Sequence, residues 1–380
     1  MHIDRDAVLD FTKTKKAMIY QHNVSNNRES ITTIGRVYFK ELLAVKGVNV
    51  NLIGDIKVPS SESATESINT MFVVEAEHLK VFDKVTIRSG FQMLHANETI
   101  ELRPGAKVES TRKYMCNIHN NAPDLYTCMD NHGKWGDKIQ YDTLIDRFNE
   151  QFPGSQKNHK NIMLMEYMWE GLKSNYTTYI QSLGNLKMDG NLVKGPRIGI
   201  CASNVQMHES TLDTDGHGCP SDFGFGKGQK YGSCGGSGGA NGGFGGYGGL
   251  EHDKYHDKCT DKHPHAYYNG LMANYEGSGG SSADPGKRLG GAGGGIIRML
   301  VLNELRAARS TIKANGGDGQ NGEKNGSGGG AGGTIQILSS SLKGESQVYA
   351  KGGRGSDGGG GGGAGGRLFI NFVKGFTHDA

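Results

Sequence analysis

The chain lacks the features that mark several large classes of protein. Its 42 basic and 39 acidic residues nearly cancel, and no dense Lys/Arg patch is interleaved with aromatic residues, which argues against a nucleic-acid surface. No apolar run reaches the roughly 18 residues that span a bilayer. The start, MHIDRDAVLDFTKTKK, has no apolar stretch of the kind that defines a signal peptide. We therefore expect either a processed chain or a segment of a longer one.

Catalytic motifs are also missing. The sequence contains no G-x-S-x-G elbow and no Cys/His arrangement in a recognisable frame. Strings similar to GxGxxG, such as the one around Gly224–Gly228, follow from composition and lack the strand, helix and downstream acid of a nucleotide fold. We predict no catalytic residue and no cofactor.

Glycine is abundant, at 62 of 380 residues. Three glycine blocks recur near the end, and each leads into an apolar stretch: the first block is Gly290–Gly295, the second Gly328–Gly333 and the third Gly358–Gly366. The final glycines of these blocks lie 38 and 33 residues apart. Self-similarity at such a period is typical of a solenoid, in which each unit buries its face against its neighbours. Because β-branched strands separate the blocks, we predict ordered turns or packed extended backbone rather than disorder.

Short runs rich in Val, Ile, Thr, Phe and Tyr fill much of the remainder, and many alternate apolar with polar residues as half-buried strands do. The predicted fold class is therefore all-β, a right-handed parallel β-helix (β-solenoid) with glycine-rich turns. Two alternatives stay open: a β-sandwich, and a bundle of glycine segments in the polyproline II conformation.

The composition divides the chain into three predicted parts. Residues 1–205 form a strand-rich solenoid portion, with a loop or short helix at Tyr141–Gln151, where apolar residues recur at three- and four-residue spacing. Residues 206–289 form a loop insert rich in glycine and cysteine. Residues 290–380 carry the repeat. Four aromatic residues lie inside the glycine-rich insert and are predicted to anchor its backbone on a core: Phe223, Phe225, Phe244 and Tyr247.

The order of blocks from DTDGHGC through KGQKYGSCGGSGGANGGFGGYGG, GGAGGGII, IKANGGDG and GSGGGAGGTIQI to GGGGGGAGGRLFI resembles a known family. It looks like the large glycine-rich surface proteins of plants, ciliates and other protists, over roughly residues 196–373. The resemblance implies an outline similar to parallel β-helix proteins, an extracellular or cell-surface location, and no assigned enzymatic activity. Residues 1–195 do not carry it.

Six cysteines occur without a CxxC pair, which argues against a zinc ribbon or a thioredoxin-type motif. In an extracellular chain they would form disulfides; the alternative is six reduced, buried cysteines in a cytosolic protein. Sequence proximity favours the pairs Cys116–Cys128, Cys201–Cys219 and Cys234–Cys259, out of about 15 possible connectivities.

Four N-x-S/T triplets are candidate N-glycosylation sites, at Asn23, Asn97, Asn175 and Asn325. Such triplets also arise by chance, so their value depends on the compartment. An exported chain would carry covalent glycans on some of them.

Two stretches of the sequence are candidate metal sites. The segment from His252 to His265 is dense in imidazole and carboxylate groups, but interspersed lysines oppose cation binding. Asp213-Thr-Asp215-Gly resembles the opening of a calcium loop, but no Glu follows at the required distance. We predict no metal.

An enzymatic β-helix would need clustered carboxylates on one exposed sheet face. The candidates are scattered: Asp83, Glu98, Glu101, Glu166 and Glu170. We therefore predict a structural, non-catalytic subunit of an extracellular filament, appendage or surface coat that binds copies of itself end to end. The contacts would be residues 367–373 at one end and Thr32–Leu43 at the other. The alternative is a glycan-binding or polysaccharide-cleaving β-helix protein.

Overall fold

The structure is a computed structural model. It describes residues 2–5, 7–20, 31–59, 70–116, 176–230, 234–249, 275–283, 288–321 and 325–372. The chain divides into two units, one comprising Met1–Asn120 and Thr177–Ala380 and the other Asn121–Tyr176. The fold described here belongs to the first unit, whose described residues contain nineteen strands and no helix. The predicted short helix at Tyr141–Gln151 lies outside the described residues.

The strands form two large parallel sheets, which confirms the all-β prediction. The nine-stranded sheet has the order β1 (Val8–Phe11), β4 (Arg36–Phe39), β6 (Ile56–Lys57), β8 (Thr86–Ser89), β10 (Lys107–Ser110), β12 (Leu192–Lys194), β14 (Thr211–Asp213), β16 (Ser310–Lys313) and β18 (Ser346–Tyr349). The ten-stranded sheet has the order β19 (Arg367–Phe372), β17 (Thr334–Lys343), β15 (Ile296–Ala308), β13 (Arg197–His208), β11 (Thr178–Asp189), β9 (Phe91–Leu102), β7 (Met71–Val81), β5 (Leu42–Leu52) and β2 (Lys16–Tyr20), with β3 (Ile31–Ile34) also paired to β5.

From β4 to β19 the chain alternates between the two sheets, so each strand pairs in parallel with the strand two positions later. The predicted three-part division of the chain stays a prediction. Strand β13 includes residues on both sides of its first boundary at 205.

Parallel register places like side chains above one another in buried rows. One row of the nine-stranded sheet is Val37, Ile56, Ile87, Val108, Val193, Leu212 and Ile312. One row of the ten-stranded sheet is Val45, Val74, Leu94, Ile180, Ile200, Met299 and Ile337. Both rows belong to one core. Each fully buried aliphatic side chain contributes about 1.5–3 kcal/mol relative to an exposed one, so these rows supply much of the stability.

Glycine serves as a turn residue at a few positions. Gly105 and Gly190 adopt φ values of 73° and 59°, and the Gly105 amide donates to the Gly190 carbonyl one level further on. Left-handed backbone of this kind favours glycine because other residues have a Cβ that crowds the backbone.

The three glycine blocks, which the sequence predicts to be ordered turns or packed extended backbone, differ from this at most positions. Within the three blocks, only Gly358 and Gly359 have a positive φ. The remaining block glycines have no positive φ, and most of them hydrogen-bond through their backbone to other glycine-rich segments.

The hydrogen bonds of these segments repeat every three residues. In the stretch 235–240, three consecutive amides donate to three different segments and the next three repeat the pattern. The donor–acceptor pairs are Gly235 to Gly249, Gly236 to Gly326, Ser237 to Gln229, Gly238 to Gly246, Gly239 to Gly329 and Ala240 to Gly226. Three residues per turn without internal hydrogen bonds is the geometry of polyproline II. The glycine-rich segments therefore form a bundle held by backbone hydrogen bonds.

The bundle leaves no room for side chains at most of its glycines. A Cβ at Gly330 would lie 2.0 Å from the Ala292 oxygen, and one at Gly363 would lie 2.0 Å from the Gly330 oxygen. The obstructing atoms are backbone, which cannot rotate away as a side chain can. Glycine is thus required here for close approach of backbone segments.

Candidate functional site

Of the predicted glycosylation sites, Asn97 and Asn325 lie in the described residues, whereas Asn23 and Asn175 lie outside them. Asn97 is exposed on β9, and its side-chain amide donates to Glu77 at 3.1 Å. Asn325 is half-buried at the start of the segment that leads into the second block. Asn97 is therefore the more accessible of the two.

The cysteines form disulfides, but two of the predicted pairs are wrong. Cys116 is bonded to Cys219, 103 residues away, which excludes Cys116–Cys128 and Cys201–Cys219. The Met115 amide also donates to the His217 carbonyl at 3.2 Å, so the chain after β10 contacts the chain after β14. Sequence proximity fails because parallel stacking brings distant residues together. Cys201 and Cys234 are also disulfide-bonded, and Cys128 and Cys259 lie outside the described residues.

Two of the catalytic candidates in the described region lie beside basic side chains. Glu101 pairs with Lys80 at 3.4 Å and with Arg103 at 3.1 Å, and Glu98 lies 3.4 Å from the His78 ring. Asp83 follows the end of β7. Glu166 and Glu170 lie outside the described residues, as does the segment from His252 to His265.

The two carboxylates of the DTDG sequence, Asp213 and Asp215, form ion pairs with a lysine. The Lys313 ammonium lies 3.2 Å from an Asp213 carboxylate oxygen and 3.0 Å from an Asp215 oxygen. Burial lowers the pKa of Lys313, but its hydrogen bond to Asp215 and the charges of both carboxylates outweigh burial and raise it above its ordinary value. Both carboxylates of the DTDG sequence are thus paired with a side-chain cation. Among the described residues, no group of three or more His, Cys, Asp or Glu side chains is placed to hold a metal.

The four aromatic residues that the sequence predicts to anchor the insert are exposed rather than buried. Phe244 is 60% exposed and Tyr247 is 47% exposed. Phe225, also exposed, packs edge-on against the buried Tyr275 with 5.2 Å between ring centroids. Of the four residues, Phe225 is therefore the one for which a contact with a buried ring is seen.

Among the described strands none pairs with the outer edge of β19, and we call this end of the stack the open end. Leu368 and Ile370 stand in the buried rows of the ten-stranded sheet, above Ile335 and Ile337. Exposure rises along these rows from 0% at Ile335 to 52% at Leu368, and from 2% at Ile337 to 38% at Ile370. Core-facing side chains are therefore uncovered at this end.

The glycine bundle is open at the same end. Equivalent amides of the first two blocks donate to the next block: Gly291 to Gly328, Gly294 to Ala331, Gly329 to Gly361 and Gly332 to Ala364. The matching amides of the third block, Gly362 and Gly365, have no acceptor among the described residues. The sequence predicted residues 367–373 as a contact but did not predict these amides. They are identified by aligning the three blocks once the hydrogen bonds of the first two blocks are known.

The chain matches no family model, no curated protein and no solved structure. No helix in the described ranges has the length and apolar character needed to cross a membrane. Of the features described above, the open end combines exposed apolar side chains with backbone amides that have no acceptor among the described residues.

Proposed function

We propose that this chain is a structural, non-catalytic subunit of an extracellular filament, appendage or surface coat. The observation that carries the proposal is the open end at β19, where Leu368 and Ile370 continue two buried rows into solvent. An unpaired strand edge beside exposed apolar side chains is a template for another chain. Contacts of this kind that do not close on themselves generate filaments.

The proposed architecture is a right-handed parallel β-helix of which the two sheets are faces. The alternation of the chain between the sheets from β4 to β19 supports it. We also propose a relationship to the large glycine-rich surface proteins of plants and protists, on the order of the glycine blocks before β15, β17 and β19.

An extracellular or cell-surface location is supported by the Cys116–Cys219 disulfide and by the exposure of Asn97 as a glycan acceptor. Disulfides persist in oxidising compartments. A non-catalytic role is supported by the pairing of Glu101 and Asp213 with basic side chains.

Electron microscopy of the unlabelled native material tests assembly directly. We expect filaments with a fixed axial repeat, and fibre diffraction with the strand spacing of about 4.7–4.9 Å along the axis. Deletion of Arg367–Ala380 should abolish them, whereas Thr32–Leu43 would supply the opposite contact in a homopolymer. Dispersed particles at high concentration, or filaments that survive the deletion, would refute the proposal.

A glycan-binding or glycan-cleaving role is the second candidate, favoured by the exposed pair Phe244 and Tyr247. Residues three apart on a polyproline II helix lie on the same side, about 9 Å from each other, which is the spacing we propose for this pair. A panel of acidic polysaccharides tests this role. Binding or cleavage that the double substitution Phe244→Ala, Tyr247→Ala removes would favour it over assembly.

A further inference from the structure

We infer that the open end accepts a further glycine block and strand, supplied in parallel by another polypeptide. The inference rests on the proposed assembly role and specifies the partner. It follows from three properties of the third block and β19 that earlier levels lack, where a level is a glycine block with the strand that follows it.

The first property is the unused donors. Gly362 and Gly365 take the places of Gly329 and Gly332 in the preceding level, as the register of Arg367 on Thr334 shows. Their predecessors donate to carbonyls of the third block, so donors of this kind serve contacts between levels. On the neighbouring segment, Gly316 and Gly319 donate to Lys351 and Arg354. Their counterparts Gly352 and Gly355 have no acceptor among the described residues.

The second property is the open space beside Gly365. At the equivalent Gly332, a Cβ would lie 2.3 Å from the Ala350 oxygen and 2.5 Å from the Gly366 nitrogen of the third block. A Cβ at Gly365 meets no described atom within 4 Å. The volume that one level fills above Gly332 is therefore unfilled above Gly365.

The third property is the strand edge. Parallel to β17 on one side, β19 has no partner on the other among the described strands, and Leu368 and Ile370 are exposed beside that edge. An incoming chain must therefore bring an apolar strand for β19 and, before it, a glycine segment with carbonyls for Gly362 and Gly365. Strand addition at a sheet edge is an established mode of peptide recognition.

The first strands of a second copy fit only half of this surface. Residues 2–116 contain no glycine block, so they would cover β19 and leave the bundle donors unpaired. At the end of the stack formed by the first strands, the buried rows are also covered, since Ile19 is only 5% exposed and Ile34 is fully buried. A glycine block followed by a strand satisfies both halves of the open end.

The probe is a fluorescent peptide with the sequence of residues 359–372, titrated against the full chain and followed by anisotropy. We expect saturable binding. The matched control peptide carries Gly363→Val and Gly366→Val, because a Cβ at these positions lies 2.0 and 2.1 Å from carbonyl oxygens of the preceding level. It should not bind.

The protein variant Gly365→Val keeps the fold, since its side chain points into open space, but obstructs the incoming level. We expect an unchanged melting temperature and peptide binding at least about tenfold weaker, which corresponds to about 1.4 kcal/mol. Equal binding to variant and parent, or no binding to the parent, would overturn the inference. Binding of a Thr32–Leu43 peptide in its place would also overturn it, in favour of homotypic stacking.

Filament formation separates this inference from the proposed function. Filaments without peptide binding would leave the assembly role standing and remove the glycine-block partner. Peptide binding without filaments would support the acceptor surface and refute the proposed filament.

Discussion

Two regions of the same pair of sheets are stabilised in opposite ways. Between β4 and β10 the interior is made of large side chains such as Phe39, Phe72 and Leu43, which are fully buried. From β15 to β19 the sheets continue, but each strand of the ten-stranded sheet follows a glycine block that packs backbone against backbone. The first region is therefore sensitive to removal of side-chain atoms, and the second to their addition.

The largest effect is expected from adding a side chain inside the bundle. In Gly330→Val the Cβ would lie 2.0 Å from the Ala292 oxygen, and the surrounding segments cannot yield without breaking their hydrogen bonds. We expect a loss of about 4 kcal/mol or more, beyond ordinary overpacking, measured by denaturant unfolding. The control is Gly365→Val, which meets open space. Equal effects of the two substitutions would contradict the backbone lattice.

In the first region, the substitution expected to destabilise the fold is the removal of a side chain. Phe72→Ala removes a fully buried ring that lies 6.4 Å from the Phe39 ring and should cost about 3–5 kcal/mol. Phe244→Ala, at a position 60% exposed, should change stability by less than about 0.5 kcal/mol. A larger loss at Phe244 than at Phe72 would mean that the insert has a side-chain core after all.

The Cys116–Cys219 disulfide joins the chain after β10 to the chain after β14, at a sequence separation of 103. Replacing both cysteines with serine should lower the free energy of unfolding by about 2–4 kcal/mol, because the unfolded chain regains the entropy of a long loop. Differential scanning calorimetry would measure the shift. No change between variant and parent would show that the bond does not constrain the unfolded chain.

A smaller effect is expected from acid. Burial lowers the pKa of His95 and of His217 below the ordinary value of 6.5, against the opposing charge of Glu75 at His95 and the hydrogen bond to the Lys113 carbonyl at His217. The unfolded chain then binds protons more tightly than the folded one, so stability is full above about pH 6.5 and falls as pH drops below it. Melting temperatures at pH 7.5 and 5.5 measure this. The double variant H95Q, H217Q should show a flatter profile, and an unchanged slope would rule out these histidines.

Much of the fold was predictable because period-two patterns survive in the sequence. The apolar stretches that follow the three glycine blocks are the strands β15, β17 and β19. Less predictable from its pattern is β9, whose register against β7 shifts between Ala96 and Thr99. That irregularity interrupts the apolar alternation, so the sequence pattern alone ends the strand too early.

The bundle and the disulfide were harder to predict, for different reasons. Glycine carries no side-chain periodicity, so the three-residue hydrogen-bond pattern of Gly235 to Ala240 leaves no trace in composition. The Cys116–Cys219 pair depends on which levels are adjacent, which sequence proximity does not report. Residues 367–373 were named as a contact because they end the last repeat, but the donors Gly362 and Gly365 need the alignment of blocks with hydrogen bonds.

Amide hydrogen exchange of the glycines, resolved by nuclear magnetic resonance, tests the backbone lattice most directly. Exchange protection reports whether an amide is held in a stable hydrogen bond. We expect strong protection at Gly329, Gly330 and Gly332, and rapid exchange at Gly362 and Gly365 in the isolated chain. Rapid exchange at all five would contradict the bundle, and strong protection at all five would show that the end at β19 is already covered.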